Sequence, residues 1–174
     1  MNYHTILVAL DRTAASDRVF DYALGLAEAS QGQLRLVHSL PVKPYENLGK
    51  MIDAGVGLRS SSQVQHDEDA AQLQQLQEAR TWLERLRNEA LRHNIPTDFV
   101  CEVADPGALI CQLATAWGAD VVVVGHSGKR GLKKLILGSV SDHVANHAPC
   151  PTVVVPNDSS LEVEVLQPKL QGSV

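Results

Sequence analysis

Residues 121–128 read Val-Val-Val-Val-Gly-His-Ser-Gly. Four β-branched residues in succession are stiff at χ1 and disfavour helix, and an apolar run without alternation belongs to a strand covered on both faces. The glycine that follows marks where the chain leaves a sheet and turns. Other apolar runs occur at 6–10, at 34–40 (broken by Arg35 and His38) and at 153–155, with a weaker one at 99–103. Together they predict five buried strands.

Helical patterns fill the intervals. Val19, Phe20, Ala23, Leu24 and Ala27 recur at helical spacing, with Ser16 as a candidate cap and Gly32 beyond the end. Leu73, Leu76, Leu83, Leu86 and Ala90 trace an apolar stripe, with Glu78, Arg80, Glu84, Arg85 and Arg87 largely off it. Asp105-Pro106 opens a third helix and Gly118 closes it, with Leu109, Ile110, Leu113, Ala114 and Trp117 on its inward face. A short fourth helix runs from about Ser139 and ends before Pro149. Strands alternating with helices require parallel crossovers, so the fold is a single-domain α/β doubly wound sheet. Ligands of such sheets bind outside the carboxyl ends of the strands, where the winding reverses.

Two segments stand apart. Residues 41–66, with Gly49, Gly55, Gly57 and three consecutive serines, read as a long mobile loop. The domain ends near residue 156, and in the tail 157–174 residues 161–166 alternate like an edge strand that could pair with something.

Composition narrows the function. With 174 residues, 44% hydrophobic and 20% charged, the chain is an ordinary globular one that can bury a core. Its formal charge of −5 argues against a general nucleic-acid or anionic-membrane surface. Neither a basic leader nor an apolar stretch of about 20 residues occurs, which points to the cytoplasm and away from the membrane. Cys101, Cys111 and Cys150 make no even disulfide set and no zinc-type pair, so they read as reduced core thiols.

Chemistry concentrates after the fourth strand, where Gly125-His126-Ser127-Gly128 is followed, nine residues later, by Gly138-Ser139-Val140-Ser141. Glycines let backbone amides approach a sugar or phosphate, through positive φ where needed, and the amide-rich start of the next helix favours anions. Ser139 and Ser141 add hydroxyl donors, and Lys129, Arg130, Lys133 and Lys134 form a basic cluster without an acidic residue. The loop is not a Walker A sequence, because Gly128-Lys129 is followed by Arg130, and no Gly-x-Gly-x2-Gly follows the first strand.

The spacing resembles the Gly-x2-Gly-x9-Gly-Ser/Thr loop of the nucleotide-binding branch of the universal stress protein family. Gly125, Gly128, Gly138 and Ser139 match it in full, and the likeness runs from about Tyr3 to Pro156, with ILVALD near the start and GSVSDHVANHAPCPTVVV near the end. The resemblance implies a five-stranded sheet in the order 3-2-1-4-5, similar to the adenine nucleotide alpha-hydrolases. It also implies a homodimer through the last strand and a site for ATP or AMP, with or without Mg2+. By position, Ala9 would lie against the base, Asp11 would meet the nucleoside and Ser39 would offer backbone groups to adenine. Val124 and Gly125 would flank the ribose, and Gly128, Gly138, Ser139, Val140 and Ser141 would surround the phosphates, with Lys129 and Arg130 beside them.

The function so implied is that of an adenine-nucleotide-binding sensor or regulator of a stress response, with an unidentified regulatory protein partner. A slow ATPase or phosphotransferase and a nucleotide-free dimeric scaffold are the rival readings. Binding is favoured over catalysis because no convincing base is present beyond Asp11 or His126. The chain departs from the family where Arg12-Thr13 replaces the frequent Gly-Ser, and where His126 stands inside the glycine loop as an expected exposed residue. His143 and His147 have the spacing of a zinc pair but lack a third ligand, so no metal site is expected. Trp82 and Trp117 are expected in the core.

Overall fold

The computed structural model describes residues 3–42, 61–126, 137–157 and 162–168. Their elements are β1 (Thr5–Ala9), α1 (Ser16–Ser30), β2 (Gln33–Leu40), α2 (Ser61–Arg92), β3 (Thr97–Val103), α3 (Pro106–Trp117), β4 (Val121–Gly125), α4 (Ser139–His147), β5 (Thr152–Val155) and β6 (Glu164–Leu166). The sheet order is β3-β2-β1-β4-β5-β6, parallel through β5. The α/β doubly wound reading and the 3-2-1-4-5 order therefore hold.

The side-chain period of two divides each strand between two cores. Ile6, Val8, Leu34, Leu36, Val121, Val123 and Val153 face α1 and α2, where Phe20, Leu24, Leu83 and Leu86 meet them. Leu7, Val37, Val122, Val124 and Val154 face α3 and α4, packing on Leu109, Ile110, Ala114 and Val144. The chain runs outward from β1 to β3 over one face, then returns on the other to lay β4 beside β1.

The expected five strands become six, because Glu164–Leu166 adds to β5 antiparallel, in the register Val153↔Val165. Part of the tail thus belongs to the sheet. Its alternation lets Val163 pack on one core and Leu166 on the other. Of the expected loop at 41–66, residues 61–66 lie in α2, while 43–60 fall outside the described residues. Leu73, assigned to the buried stripe, is 56% exposed. The cause is length: 32 helical residues span about 48 Å at 1.5 Å each, roughly twice the reach of the seven residues of β3. Burial along α2 becomes continuous only from Ala79 onward, so the helix overhangs the carboxyl edge of the sheet.

Helix ends obey local chemistry with one exception. Asp105 caps α3 through the Ala108 amide at 2.9 Å, Pro106 follows, and Gly118 ends the helix at φ 61°. For α1 the cap residue is Ala15, not Ser16, and the left-handed residue at its end is Gln31 (φ 53°), not Gly32. Gly32 serves close packing instead, because a Cβ there would lie 2.8 Å from the Tyr3 carbonyl oxygen.

At the amino edge of the sheet, Asp120 Oδ2 accepts from the His4 amide (2.9 Å), the Thr5 amide (2.8 Å) and the Thr5 hydroxyl (2.8 Å), which ties β1 to the start of β4. Burial works against this charge, but the Thr5 bonds, with the help of His4, outweigh it and hold the carboxyl below its ordinary 3.8. The three cysteines are free, and burial raises each thiol, Cys150 to about 11.

A carboxyl whose pKa falls on folding stabilises above its unfolded pKa, and that contribution disappears as pH drops through the folded value. Asp120→Ala should therefore cost about 1 kcal/mol in urea denaturation at neutral pH, with the gap to wild type narrowing as pH drops through the lowered folded pKa of the carboxyl. Cys150 should resist iodoacetamide in the native protein near neutral pH and react once urea unfolds it, as mass spectrometry of the labelled peptides will show.

Candidate functional site

Because β1 and β4 are neighbours whose helices leave on opposite faces, a crevice opens at their carboxyl ends. It is a cleft of about 650 Å³. Ala9, Asp11, Ser39, Val124, Gly125, Ser139, Val140 and Ser141 all line it. Gly138 sits directly before them as the N-cap of α4, at an ordinary φ of −72°. Gly128, Lys129 and Arg130 lie outside the described residues.

Asp11 organises the turn from β1 into α1. Its Oδ1 accepts from the Thr13 amide (3.0 Å), the Thr13 hydroxyl (2.7 Å) and the Ser16 hydroxyl (2.9 Å). Partial burial opposes ionisation, but the hydrogen bonds from Thr13 and Ser16 prevail and leave the carboxyl below its ordinary value. Between Asp11 and Thr13 the chain passes through the left-handed region at Arg12, with φ 60°. Glycine takes that conformation without penalty, whereas a Cβ costs roughly 1–2 kcal/mol.

The opposite wall is α4, whose first-turn amides have no partners inside the helix. Ser141 is buried at the cleft wall, and its hydroxyl donates to the Gly138 carbonyl at 3.1 Å. Ser139 is exposed at the helix start. Gly125 does not take positive φ, and a Cβ there would approach Val19 Cγ2 to 3.1 Å, so the residue also admits α1 to the sheet.

His126 corrects the expectation of an exposed residue: it is 7% exposed and lines the cleft, its amide donating to the Val155 carbonyl. His143 and His147 stack at 4.3 Å between ring centroids, and no cluster of three metal-ligating side chains occurs among the described residues. Trp82 and Trp117 are partly buried against the two cores. The sequence reading passed over His38, Gln75, Glu78, Pro106, Ile110 and Asn157, all cleft-lining. His38 alone had a signal, a polar residue inside an apolar strand.

A doubly wound α/β protein with a cleft of mixed apolar and polar lining at its switch point is the class that this fold and site define. The profile of the universal stress protein family matches residues 2–156, and the chain belongs to that family. Universal stress protein Sll1388 of Synechocystis is 32% identical over 157 residues, covering 89% of this chain and 99% of that protein. The solved structure of the protein MJ0577 superposes with a TM-score of 0.71 at 20% identity, covering 91% of this chain and 99% of its own. A universal stress protein from Archaeoglobus fulgidus, solved in complex with dAMP, gives 0.57 at 22% identity, covering 88% and 98%.

Arg12→Gly should raise the stability of the protein by about 0.5–1 kcal/mol, the relief of left-handed strain exceeding the added entropy of the unfolded chain. The midpoint of a denaturant titration, at unchanged slope, measures it.

Proposed function

We propose that the protein binds an adenine nucleotide in the switch-point cleft and acts as a nucleotide-dependent regulator in the cytoplasm, through a protein partner, during a stress response. The observation that carries this reading is the convergence, at one crevice, of Asp11 from the end of β1 and the amide-bearing start of α4 beyond β4. A carboxylate suits ribose hydroxyls, and the start of a helix suits phosphate. The volume falls in the range of small-molecule sites. Relatives of the same fold are described in complex with dAMP, AMP and cAMP, which supports a nucleotide as the ligand class.

In this arrangement Ala9 and the backbone of Ser39 border the base, Asp11, Val124 and Gly125 border the sugar, and Gly138, Ser139 and Val140 meet the first phosphate. Gly128, Lys129 and Arg130 fall in the connection between β4 and α4, where further phosphates of ATP, with or without Mg2+, would extend. Assembly through the last strand, which the resemblance implies, would here involve β6, because β6 already occupies the outer edge of β5. No described helix is long and apolar enough to cross a membrane.

Calorimetric titration of the full chain with AMP and ATP, the latter with and without Mg2+, tests the reading; one site per chain is expected, and heat no larger than dilution for every nucleotide would refute it. Asp11→Ala should weaken AMP binding by about tenfold, the loss of a charged acceptor to the sugar.

A further inference from the structure

The match to the family ends at residue 156, yet the next residue belongs to the cleft, which Asn157 lines together with Gly125 and His126. β5 brings it there. Gly125 pairs with Val155 in the sheet, and the amide of the buried His126 donates to the Val155 carbonyl at 2.9 Å, so the end of β5 is fastened to the end of β4. From the side of α1, Arg18 Nη1 donates to the Asn157 carbonyl oxygen at 3.1 Å, a contact between residues 139 apart in the chain. Arg18 directly precedes Val19, which lines the cleft and stands so close to Gly125 that a Cβ there would meet it at 3.1 Å. Asn157 is therefore held from two elements of the cleft wall at once.

Beyond Asn157 the chain returns antiparallel as β6, with Val163 packed on the first core and Leu166 on the second. Three residues pair with β5, and Val165 among them is 46% exposed. A strand so short, at an edge, belongs to the part of a fold that opens locally before the rest. When β6 leaves, Asn157 keeps only its exposed bond to Arg18 beyond the last sheet residue, and a ligand that touches it must order it on binding. With β6 docked, that ordering is already made. We infer that Asn157, Arg18 and β6 act as one unit with the nucleotide site: Asn157 borders the ligand, Arg18 is the positioning residue that fixes it, and docking of β6 and occupancy of the cleft favour each other. The inference rests on the nucleotide reading above and deepens it by adding to that site a segment that lies outside the family match.

Amide hydrogen exchange and calorimetry on the full chain, with AMP as the probe, test it. Coupling between two equilibria is reciprocal, so what the ligand does to β6, β6 must do to the ligand. Saturating AMP should slow exchange of the β6 amides about three- to fivefold and leave those of β3, at the opposite edge of the sheet, unchanged. Leu166→Asp, which puts a carboxylate in place of the aliphatic anchor of β6, should weaken AMP binding by a comparable factor. Arg18→Ala should weaken it as well and remove the effect of AMP on β6, whereas Arg18→Lys, which still donates to a carbonyl, should keep most of both. A tail that is only structural would leave AMP affinity unchanged in these variants and β6 exchange unmoved by AMP; either result overturns the proposal while nucleotide binding stands. Equal slowing at β3 and β6 overturns it too, because it marks only the general stabilisation that any bound ligand confers. If Leu166→Asp or Arg18→Ala does not fold, exchange in the wild-type chain decides alone. Absence of AMP binding by wild type removes both readings.

Discussion

The pairing of β1 with β2 along one edge and β4 along the other governs the rest of the molecule. Residues 6–8 are completely buried between the two cores, so the strand can tolerate neither a slip in register nor a polar substitution. Because its neighbours are entered from opposite faces, no helix can cover the junction at their carboxyl ends. The crevice is therefore a product of topology and would exist with any side chains that fold this way. Asp120, bonded to His4 and Thr5, holds the same pair of strands at the other end, so register is fixed far from the cleft.

What the chain adds to this inherited crevice is local and physically expensive. The turn after β1 keeps Arg12 in a conformation that glycine would adopt freely, and the hydrogen bonds to Asp11 are what sustain it. Asp11 thus works on the backbone as well as toward the cleft: the acceptor that folds the turn is the one that the nucleotide reading assigns to the sugar. Across the gap, Gly107 at the start of α3 admits the ring of His143, since a Cβ would lie 2.7 Å from its Cδ2. That contact sets α3 and α4 close together, and with them the second wall of the cleft.

The parts legible in the sequence were those determined by nearest neighbours along the chain. The valine run at 121–124, the Asp105-Pro106 opening and the Gly118 ending each carry their own physical cause, and the strand order followed from the family resemblance. Residues whose position depends on distant packing escaped. Gln75 and Glu78 reach the cleft only because α2 outruns the strand it covers, and a helix length is set by tertiary contacts as much as by propensity. The burial of His126 could not be seen in a glycine-flanked histidine, nor that of Ser141 in a serine at a helix start. Gln31 took the left-handed position because Gly32 was needed one step later, against the Tyr3 carbonyl.

The three residues of β6 have a consequence for how the protein behaves in crowded solution. A bare β5 would present a row of unsatisfied amides and carbonyls beside four aliphatic or β-branched side chains, the kind of border on which other extended chains grow. Laid antiparallel along that border, β6 exchanges it for a shorter one that carries Glu164 and ends before Pro168, a residue with no amide to donate. β6 thus acts as a selvedge, closing the edge of β5 and leaving only its own three residues at the border of the sheet.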